Sequence, residues 1–336
     1  HTCLKLLERN YKVFVLDSFE NSSIKSMENV SQLCKKCGLK SNQDLNIYKG
    51  DIRDSSLLKK IFDDSILLNS KIIAVMHFAG LKSIPNSIIK PLSYWDVNVN
   101  GSINLLKTMQ LYDCNTLVFS SSASIYSNNN KLPFNEKSKI EPINPYSITK
   151  YTVEQLLNNV FKSDTNKWRI ACLRYFNPIG AHESGMIGES PKGHPDNFFP
   201  NLVNVALGLQ NELKIFGNNW PTIDGTSVRD FLHVMDLAEG HLKTLDYLLN
   251  RKSQILTLNI GTGKGTSLLC LLKEFQEVNK IKLYFSYSSR REGDYPISIA
   301  DNSLSMEILN WRPQKTIKEM CKDGFYWRKK HPFGYR

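Results

Sequence analysis

Short β-branched runs alternate with segments of helix length along the first half of the chain, and this alternation restricts its fold more than any other feature. Strand-like apolar runs occur at residues 13–16, 45–48, 72–78, 116–119 and 170–173. Helix-length amphipathic segments include residues 57–68, 103–112 and 147–161. Strands that alternate with helices form a parallel sheet with helices on both faces. We therefore predict an α/β fold with a doubly wound parallel sheet, which binds ligands beyond the carboxyl ends of its strands.

The amino-acid composition changes after about residue 175. Gly, Pro and Asn crowd residues 177–200, a composition that excludes regular helix and central strand. Shorter strand-like runs follow at 214–216, 255–260 and 283–287. We therefore predict a Rossmann-type domain over residues 1–175 and a smaller C-terminal α/β lobe over residues 176–336. Part of residues 228–250 is expected to pack back on the first domain.

Composition narrows the class of protein. A hydrophobic content of 41% over 336 residues is enough to build buried cores. No apolar run approaches the roughly 20 residues that a membrane-spanning helix needs, and no signal-peptide pattern opens the sequence. The seven cysteines are odd in number and scattered, which favours reduced thiols over a disulfide framework. We expect a cytoplasmic protein without a membrane partner.

The net charge of +11 does not by itself indicate a nucleic-acid partner. The lysines are spread among Asn and Ser instead of clustering in a stripe, so we predict a solvated basic surface and no nucleic-acid binding. An anionic, phosphorylated substrate would also suit a basic cleft. The histidines show no metal-ligand spacing, and Cys34-x-x-Cys37 has no second ligand pair near it, so we predict no metal site.

One glycine-rich segment resembles a phosphate-binding loop without matching it. Residues 261–266 read GTGKGT, which lacks the order of glycines, lysine and hydroxyl found in nucleotide-hydrolase loops. We interpret this segment as a turn between a strand and a helix.

Asp17 follows the first predicted strand, where a dinucleotide-binding fold places the carboxylate that holds an adenosine ribose. Such a site also needs a strand and a glycine-rich loop whose amides cradle the pyrophosphate, and neither precedes His1 in this sequence. An initiator Met is also missing. We therefore expect an N-terminally truncated form of a longer protein, which by itself would bind a dinucleotide poorly.

Tyr146 and Lys150 form a Y-x-x-x-K pair whose side chains share one face of a predicted helix. A nearby ammonium favours the phenolate, so the pair could supply a base near neutral pH. Pro145 indicates a helix start beside Tyr146. The hydroxyl cluster 120–122 follows a strand about two dozen residues earlier, and Ser122 could hydrogen-bond a substrate oxygen. Together Ser122, Tyr146 and Lys150 give the constellation of short-chain dehydrogenases.

Four further segments extend this likeness over the whole chain: HFAGLK at 77–82, RYFNP at 174–178, DGTSVRD at 224–230 and RREGD at 290–294. With the Ser, Tyr and Lys constellation, they closely resemble the UDP-glucose/UDP-galactose 4-epimerases of the extended short-chain dehydrogenase/reductase family. The resemblance implies that Ser122, Tyr146 and Lys150 are catalytic, that NAD is the cofactor and that residues 176–336 form a UDP-sugar-binding lobe.

The resemblance also assigns binding residues, position by position. Contacts with NAD are implied at Asp17, Asn21, Ser22, Asp51, Ile52, Phe78, Ala79, Gly80, Lys82, Tyr146, Lys150 and Phe176. Contacts with the UDP-sugar are implied at Lys82, Ser122, Tyr146, Asn177, Asn197, Phe198, Phe216, Arg229, Arg291, Asp294 and Ser298. The residue types suit these roles, since arginines can fork onto diphosphate oxygens and a carboxylate can accept from a ribose hydroxyl.

The implied reaction is reversible C4 epimerisation in galactose metabolism. Tyr146 takes the 4-hydroxyl proton with help from Ser122 while the hydride passes to tightly bound NAD, and the transient 4-keto sugar receives it back on its other face. Helices near 102–112 and 147–161 resemble those that pair relatives as homodimers. Ser298 is small where bacterial relatives carry tyrosine, so we hypothesise that UDP-GlcNAc and UDP-GalNAc are also accepted.

Two alternatives remain open from the sequence. The chain could be another nucleotide-sugar enzyme of this fold, a dehydratase or a decarboxylase. Dehydratases carry an acidic pair after the hydroxyl of the serine cluster, whereas Ala123 and Ser124 follow Ser122 here. The chain could also be a catalytically silent NAD-binding module, against which the retained Ser122, Tyr146 and Lys150 weigh.

Overall fold

The structure is a computed structural model that describes residues 1–38, 44–193, 195–291 and 294–335. The longer strands are β1 (Val13–Asp17), β2 (Leu45–Lys49), β3 (Val75–His77), β4 (Thr116–Ser122), β5 (Arg169–Tyr175), β7 (Leu213–Phe216), β10 (Gln254–Ile260) and β12 (Phe285–Ser288). The short strands are β6 (Asn177–Ile179), β8 (Val228–Arg229), β9 (Phe231–His233), β11 (Thr266–Ser267) and β13 (Ile297–Ser298).

Helices connect most of these strands. They are α1 (Thr2–Glu8), α2 (Lys25–Lys36), α3 (Ser55–Leu67), α4 (Ile84–Ile89), α5 (Pro91–Tyr94), α6 (Gly101–Leu111), α7 (Pro145–Ser163), α8 (Phe198–Ala206), α9 (Val234–Leu249), α10 (Leu268–Asn279), α11 (Ser303–Leu309) and α12 (Ile317–Lys330). A π-helical turn, Trp95–Asn100, joins α5 to α6 without a break in the helical path. The alternation of strands and helices predicted from the sequence is confirmed.

A four-stranded parallel sheet, in the order β10-β5-β4-β3, forms the centre of the molecule. Strands β4 and β5 are buried along most of their length because helices cover both faces of the sheet. One face packs on a core that includes Leu105, Met109 and Leu157. The other face packs on Leu232, Leu248 and neighbouring apolar side chains.

Strand β10 corrects one prediction from the sequence. We expected residues 255–260 in the C-terminal lobe, but β10 pairs with β5 along seven residues, from Gln254 with Arg169 to Ile260 with Tyr175. The buried side chains of Leu258 and Ile260 belong to the core of the central sheet. Helix α9, just before β10, contacts β4 and β5 and packs on the same sheet.

Strands β1 and β2 form a separate parallel pair, from Val13 with Leu45 to Asp17 with Lys49. A cavity separates β1 from β3, and no described strand pairs with the two edges that face each other across it. The chain proceeds from β1 to β2 on one side of this cavity and from β3 to β4 and β5 on the other. The strand order thus reverses at the cavity, which is where open α/β sheets bind their ligands.

The C-terminal part carries three small sheets: β12 with β7, β6 with β9, and β11-β8-β13. Its own core gathers apolar residues of α8, α10 and α12, including Leu202, Leu271 and Met320. The smaller α/β lobe is therefore present, whereas its boundary at residue 175 stays a prediction. Among the described residues, we find no helix whose length and apolar character would let it cross a bilayer.

Candidate active site

The cavity between β1 and β3 has a volume of about 1420 Å³ and brings together most of the predicted cofactor residues. Of the residues predicted to bind cofactor or substrate, its walls include Asp17, Asn21, Ser22, Asp51, Ile52, Phe78, Ala79, Gly80, Lys82, Asn197, Arg291 and Asp294.

Asp17 is held in place at the end of β1. Its Oδ1 atom accepts hydrogen bonds from the Phe19 backbone N–H at 2.7 Å and from the Ser22 hydroxyl at 3.0 Å. Asn21 is fixed in the same loop, because its Oδ1 accepts from the Lys192 backbone N–H at 2.8 Å. An oriented carboxylate at a strand end beside a large cavity fits the ribose of a dinucleotide, so these residues suit NAD.

Asp51 also lies at the cavity wall, but its carboxylate is already engaged. Arg53 donates to it from Nη2 at 2.6 Å and from Nε at 2.9 Å, and also pairs with Asp96. Hydrogen bonding from Arg53 holds the pKa of the Asp51 carboxyl below its ordinary value. The structure does not test the predicted contact between Asp51 and the cofactor, which therefore stays a prediction.

The three predicted catalytic residues come from two elements that meet beside the cavity. Ser122 is the last residue of β4, and Tyr146 and Lys150 lie in the first turns of α7. Pro145 occupies the first turn of this helix, and the Asn144 side chain accepts from the Ser147 backbone N–H at 2.9 Å. Both features fix the helix start. The start predicted from Pro145 is thus confirmed.

Tyr146 is half-buried and lies near Ser122. Burial raises the pKa of the Tyr146 phenol, and the Ser122 hydroxyl partly offsets this effect. The lowering of the phenol pKa that we expected from Lys150 is not seen in the protein alone. Lys150 Nζ lies 6.0 Å from the centre of the Tyr146 ring and donates instead to the Ser120 carbonyl at 2.8 Å.

Lys150 is buried and does not line the cavity itself, but it lies directly behind Gly80, which does. A Cβ atom built on Gly80, a cavity residue, would lie 3.7 Å from Lys150 Nζ. Burial lowers the pKa of the Lys150 ammonium from 10.5 to about 8. The lysine can therefore act as a cation at neutral pH, and it is the residue that links the Ser122 and Tyr146 pair to the cofactor cavity.

The two arginines predicted to bind the diphosphate, Arg291 and Arg229, belong to two separate groups of residues in contact. The Arg291 guanidinium stacks over the Phe216 ring at 3.8 Å and donates to the Asp196 carbonyl at 3.0 Å. Arg229 donates to the Tyr295 carbonyl at 2.9 Å and lies 3.8 Å from the Asp294 carboxylate. Stacking and carbonyl contacts pre-orient planar guanidinium groups for anion recognition.

The other predicted residues lie outside the cavity wall itself. Phe176 is buried directly after β5, and Asn177 opens β6. Phe198 begins α8, and Ser298 is buried in β13, in register with Arg229 of β8. The structure therefore joins Ser298 to the arginine group and does not bring it to the cofactor cavity.

Asn98 is a residue of this site that the sequence interpretation missed. Its side chain accepts from the Leu81 N–H at 2.7 Å and donates to the Leu81 carbonyl at 3.1 Å and to the Thr149 hydroxyl at 2.9 Å. It thereby ties the loop after β3 to the catalytic helix α7. Its position on a helical segment gave no signal, because only the π-helical turn aims this amide at the loop.

This geometry defines a class of protein: a dinucleotide cavity at a strand-order reversal, beside a Ser, Tyr and Lys cluster, is the arrangement of a short-chain dehydrogenase/reductase enzyme. Comparison with known proteins agrees. A sequence profile for the family described as GDP-mannose 4,6 dehydratase matches residues 1–324. UDP-glucose 4-epimerase of Pasteurella multocida is 43% identical over 337 residues, covering 100% of this chain and 96% of that protein. UDP-glucose 4-epimerase 2 of Arabidopsis thaliana is 41% identical over 335 residues, covering 100% and 93%.

Solved structures give the same result. UDP-glucose 4-epimerase from Bifidobacterium longum, in complex with NAD+ and UDP, matches with a TM-score of 0.91 and 36% identity, covering 100% of this chain and 96% of that one. The enzyme from Stenotrophomonas maltophila, with bound NAD and formylated UDP-arabinopyranose, matches with a TM-score of 0.92 and 37% identity, covering 99% and 95%. This chain belongs to the UDP-glucose 4-epimerase family, within the extended short-chain dehydrogenases/reductases.

Proposed function

We propose that this chain catalyses the reversible C4 epimerisation of UDP-glucose and UDP-galactose with NAD as cofactor, a reaction of galactose metabolism. The observation that carries the proposal is the cluster of Ser122, Tyr146 and, one helical turn later, the buried Lys150, which lies behind Gly80 of the cavity wall. Full-length similarity to UDP-glucose 4-epimerases from plants and bacteria supports the same reaction.

Each catalytic side chain has a defined task in this proposal. Bound NAD supplies hydride acceptance and return at the sugar C4 carbon. Tyr146 removes the proton of the 4-hydroxyl as the C4 carbon becomes a ketone, and gives a proton back as the hydroxyl re-forms. Ser122 lowers the pKa of the phenol, and its hydroxyl can hydrogen-bond the substrate oxygen. The Lys150 cation favours the phenolate once the cofactor adds its own positive charge.

The substrate groups suit a nucleotide diphosphate sugar. Arg229 and Arg291 can each present a guanidinium fork to diphosphate oxygens, and Asp294 can accept from a ribose hydroxyl. A keto sugar held by its diphosphate can turn about that attachment and expose its other face, which accounts for reversal of configuration at C4.

The proposal is tested by incubating the NAD-loaded protein with UDP-galactose and following UDP-glucose. Tyr146→Phe removes the acid and base, and we expect activity to fall about 10²- to 10⁴-fold with NAD still bound. Tyr151→Phe is the matched control, because it removes a phenol from the same helix outside the site and should leave activity unchanged. An inactive wild-type protein that retains NAD would instead indicate the silent binding module.

The chemistry after Ser122 argues against the dehydratase alternative, although the matching family profile carries a dehydratase description. Elimination needs an acid near the sugar C5 and C6 positions, and Ala123 and Ser124 supply none. Ser124 is instead engaged with the Ser122 hydroxyl at 2.9 Å. The same incubation distinguishes the reactions, since a dehydratase would release a 4-keto-6-deoxy sugar.

A second substrate class rests on Ser298. This residue is small and lies buried in β13, in register with Arg229 of the proposed UDP-sugar site. We propose that UDP-GlcNAc and UDP-GalNAc are also epimerised. Ser298→Tyr should abolish that activity and spare UDP-glucose, whereas equal loss of both activities would refute the assignment.

We also propose a homodimer. The helical path through α5, the π-helical turn and α6 presents Leu92, 82% exposed, and Trp95, 40% exposed, followed by the half-buried Val99 and Ile103. Exposed apolar side chains at helical spacing suit a helix-to-helix interface. Trp95→Asp should shift the sedimentation coefficient from dimer to monomer, and Ile223→Asp, an exposed loop control, should not. A monomeric wild type would exclude the dimer.

The remaining assignments stay predictions of the sequence. They are the cytoplasmic location, the absence of nucleic-acid binding and the division into domains at residue 175.

A further inference from the structure

Asp230 is a buried carboxylate between β8 and β9 that the reaction itself does not use. Its exposed fraction is 0%, and among the described residues its hydrogen-bond donors are three backbone N–H groups and one hydroxyl. A buried charge is costly unless hydrogen bonds compensate it, so its surroundings explain why it is retained.

Four donors from two distant segments converge on this carboxylate. Thr262 donates its backbone N–H at 2.8 Å and its hydroxyl at 2.5 Å to Oδ1. Gly263 N–H and Ala300 N–H donate to Oδ2 at 2.9 and 3.2 Å. Bonds from backbone amides to a carboxylate are charge-assisted and stronger than neutral ones. The GTGKGT segment thus forms an anion site, but its anion is a side chain of the same protein.

The glycines of this segment allow the approach. A Cβ atom built on Gly261 would lie 2.7 Å from Asp230 Oδ2 and 2.7 Å from the Ala300 Cβ, so a larger residue would push the carboxylate away. Gly263 has φ +74°, in the left-handed region that side chains disfavour. Both glycines are needed for the donors to face Asp230, which explains a motif that the sequence interpretation treated only as a turn.

The backbone of Asp230 connects to residues of the proposed UDP-sugar site. Its N–H donates to the Ser298 carbonyl at 2.9 Å, and its carbonyl accepts from the Asn177 N–H at 3.0 Å. Arg229 precedes it directly in the chain. One buried residue therefore fixes the relative positions of three residues that the proposed function assigns to the substrate.

The other end of this connection is the central sheet. Thr262 and Gly263 directly follow β10, which pairs with β5, and β5 pairs with β4, where Ser122 stands at the carboxyl end. Resting on the proposed function, we propose that Asp230 is a positioning residue that sets the diphosphate-binding arginine Arg229 at a fixed distance from the catalytic Ser122 and Tyr146.

Asp230→Asn tests the proposal, because an amide cannot accept from all four donors and presents an NH₂ group to some of them. We expect the Kd for UDP, measured by titration calorimetry, and the KM for UDP-galactose to rise about ten- to a hundred-fold through misplacement of the site, with NAD content unchanged. Asp236→Asn is the matched control. Asp236 is also buried and accepts backbone N–H groups, from Gln314 at 3.0 Å and Lys315 at 2.9 Å, but away from the substrate residues.

Thr262 provides a milder variant in case Asp230→Asn does not fold. Thr262→Val removes one donor and should raise the Kd for UDP several-fold, and Thr262→Ser, which keeps the hydroxyl, should restore it. A merely structural role would lower the melting temperature in Asp230→Asn, Thr262→Val and Asp236→Asn alike and leave the Kd of the folded proteins unchanged. That result would overturn the proposal.

UDP binding does not require turnover, so the two proposals can fail separately. A raised Kd in Asp230→Asn supports the positioning role even if the wild type epimerises nothing. An active wild type whose UDP affinity is the same in Asp230→Asn and Thr262→Val rejects the positioning role alone.

Discussion

At the scale of single residues, charged side chains are buried where ion pairs and hydrogen bonds compensate their charge. Glu154 of α7 and Arg174 of β5 are each 6% exposed at the side chain and form two parallel bonds, at 3.0 and 2.7 Å. Ser121 donates to the same carboxylate, and Arg174 also donates to the Tyr126 hydroxyl at 2.9 Å. This network connects the catalytic helix to the two strands behind it.

Removing one partner of this pair should be far more harmful than removing both. Arg174→Met leaves the Glu154 carboxylate buried without its cation, and we expect the free energy of unfolding to fall by about 3–5 kcal/mol. Urea denaturation of Arg174→Met and of the double variant Glu154→Leu/Arg174→Met measures this, with the double variant recovering much of the loss. Arg9→Met, at an exposed pair with Asp246, should change stability by about 1 kcal/mol or less.

Lys150 should make stability depend on pH in the alkaline range. Burial lowers its pKa from 10.5 to about 8, so between these values the unfolded chain binds a proton that the folded protein does not. The free energy of unfolding therefore gains up to about 3 kcal/mol from this residue as pH rises from 8 to 10.5. Denaturation of wild type and Lys150→Met at pH 7.5, 9 and 10.5 isolates this gain, and parallel curves would contradict it.

At the scale of elements, local sequence signals located the helices well and the strand partners poorly. Pro145 and Asn144 begin α7 because the ring fixes φ and the amide caps the first turn, and both signals are readable in the sequence. The sequence did not predict which sheet β10 joins, since an apolar run carries no information on which strand it pairs with. The strand predicted at 72–78 shortens to Val75–His77 for a related reason: only these residues have a partner, in β4.

Helix α12 offers a test of element stability, because Thr316 and Glu319 form a capping box at its start. Thr316→Ala should lower the free energy of unfolding by about 1 kcal/mol, measured by urea denaturation at pH 7. Bonding from the Thr316 backbone lowers the pKa of Glu319 from 4.5 to about 2. The stability that Glu319 adds over Glu319→Gln should therefore be present above pH 4.5 and vanish as pH falls towards 2.

At the scale of the whole molecule, the motifs predicted the residues of the site but not the contacts that hold its parts together. Asp230 meets Thr262 and Ala300, which are 32 and 70 positions away, and no local pattern encodes such a meeting. Asn98, in the π-helical turn, bonds Leu81, which is 17 positions away. Contacts of this kind depend on the packed arrangement of sheets and helices, and they connect the site to the fold.

The cavity between β1 and β3 has a consequence for the exchange of backbone hydrogens with solvent. Strands β4 and β5 have a bonded neighbour on each side, whereas β1 and β3 have a described partner on one side only. Amide hydrogens that point into the cavity therefore exchange with deuterium in the native state. Amide hydrogens of β4 and β5 exchange only after cooperative opening of the structure. Deuterium uptake followed by mass spectrometry should be fast in peptides that cover residues 13–17 and 75–77 and slow in those that cover 116–122 and 169–175. Added NAD should slow deuterium uptake in the first pair of peptides and leave uptake in the second pair unchanged. NAD binding can therefore be followed through the exchange rates of these amide hydrogens.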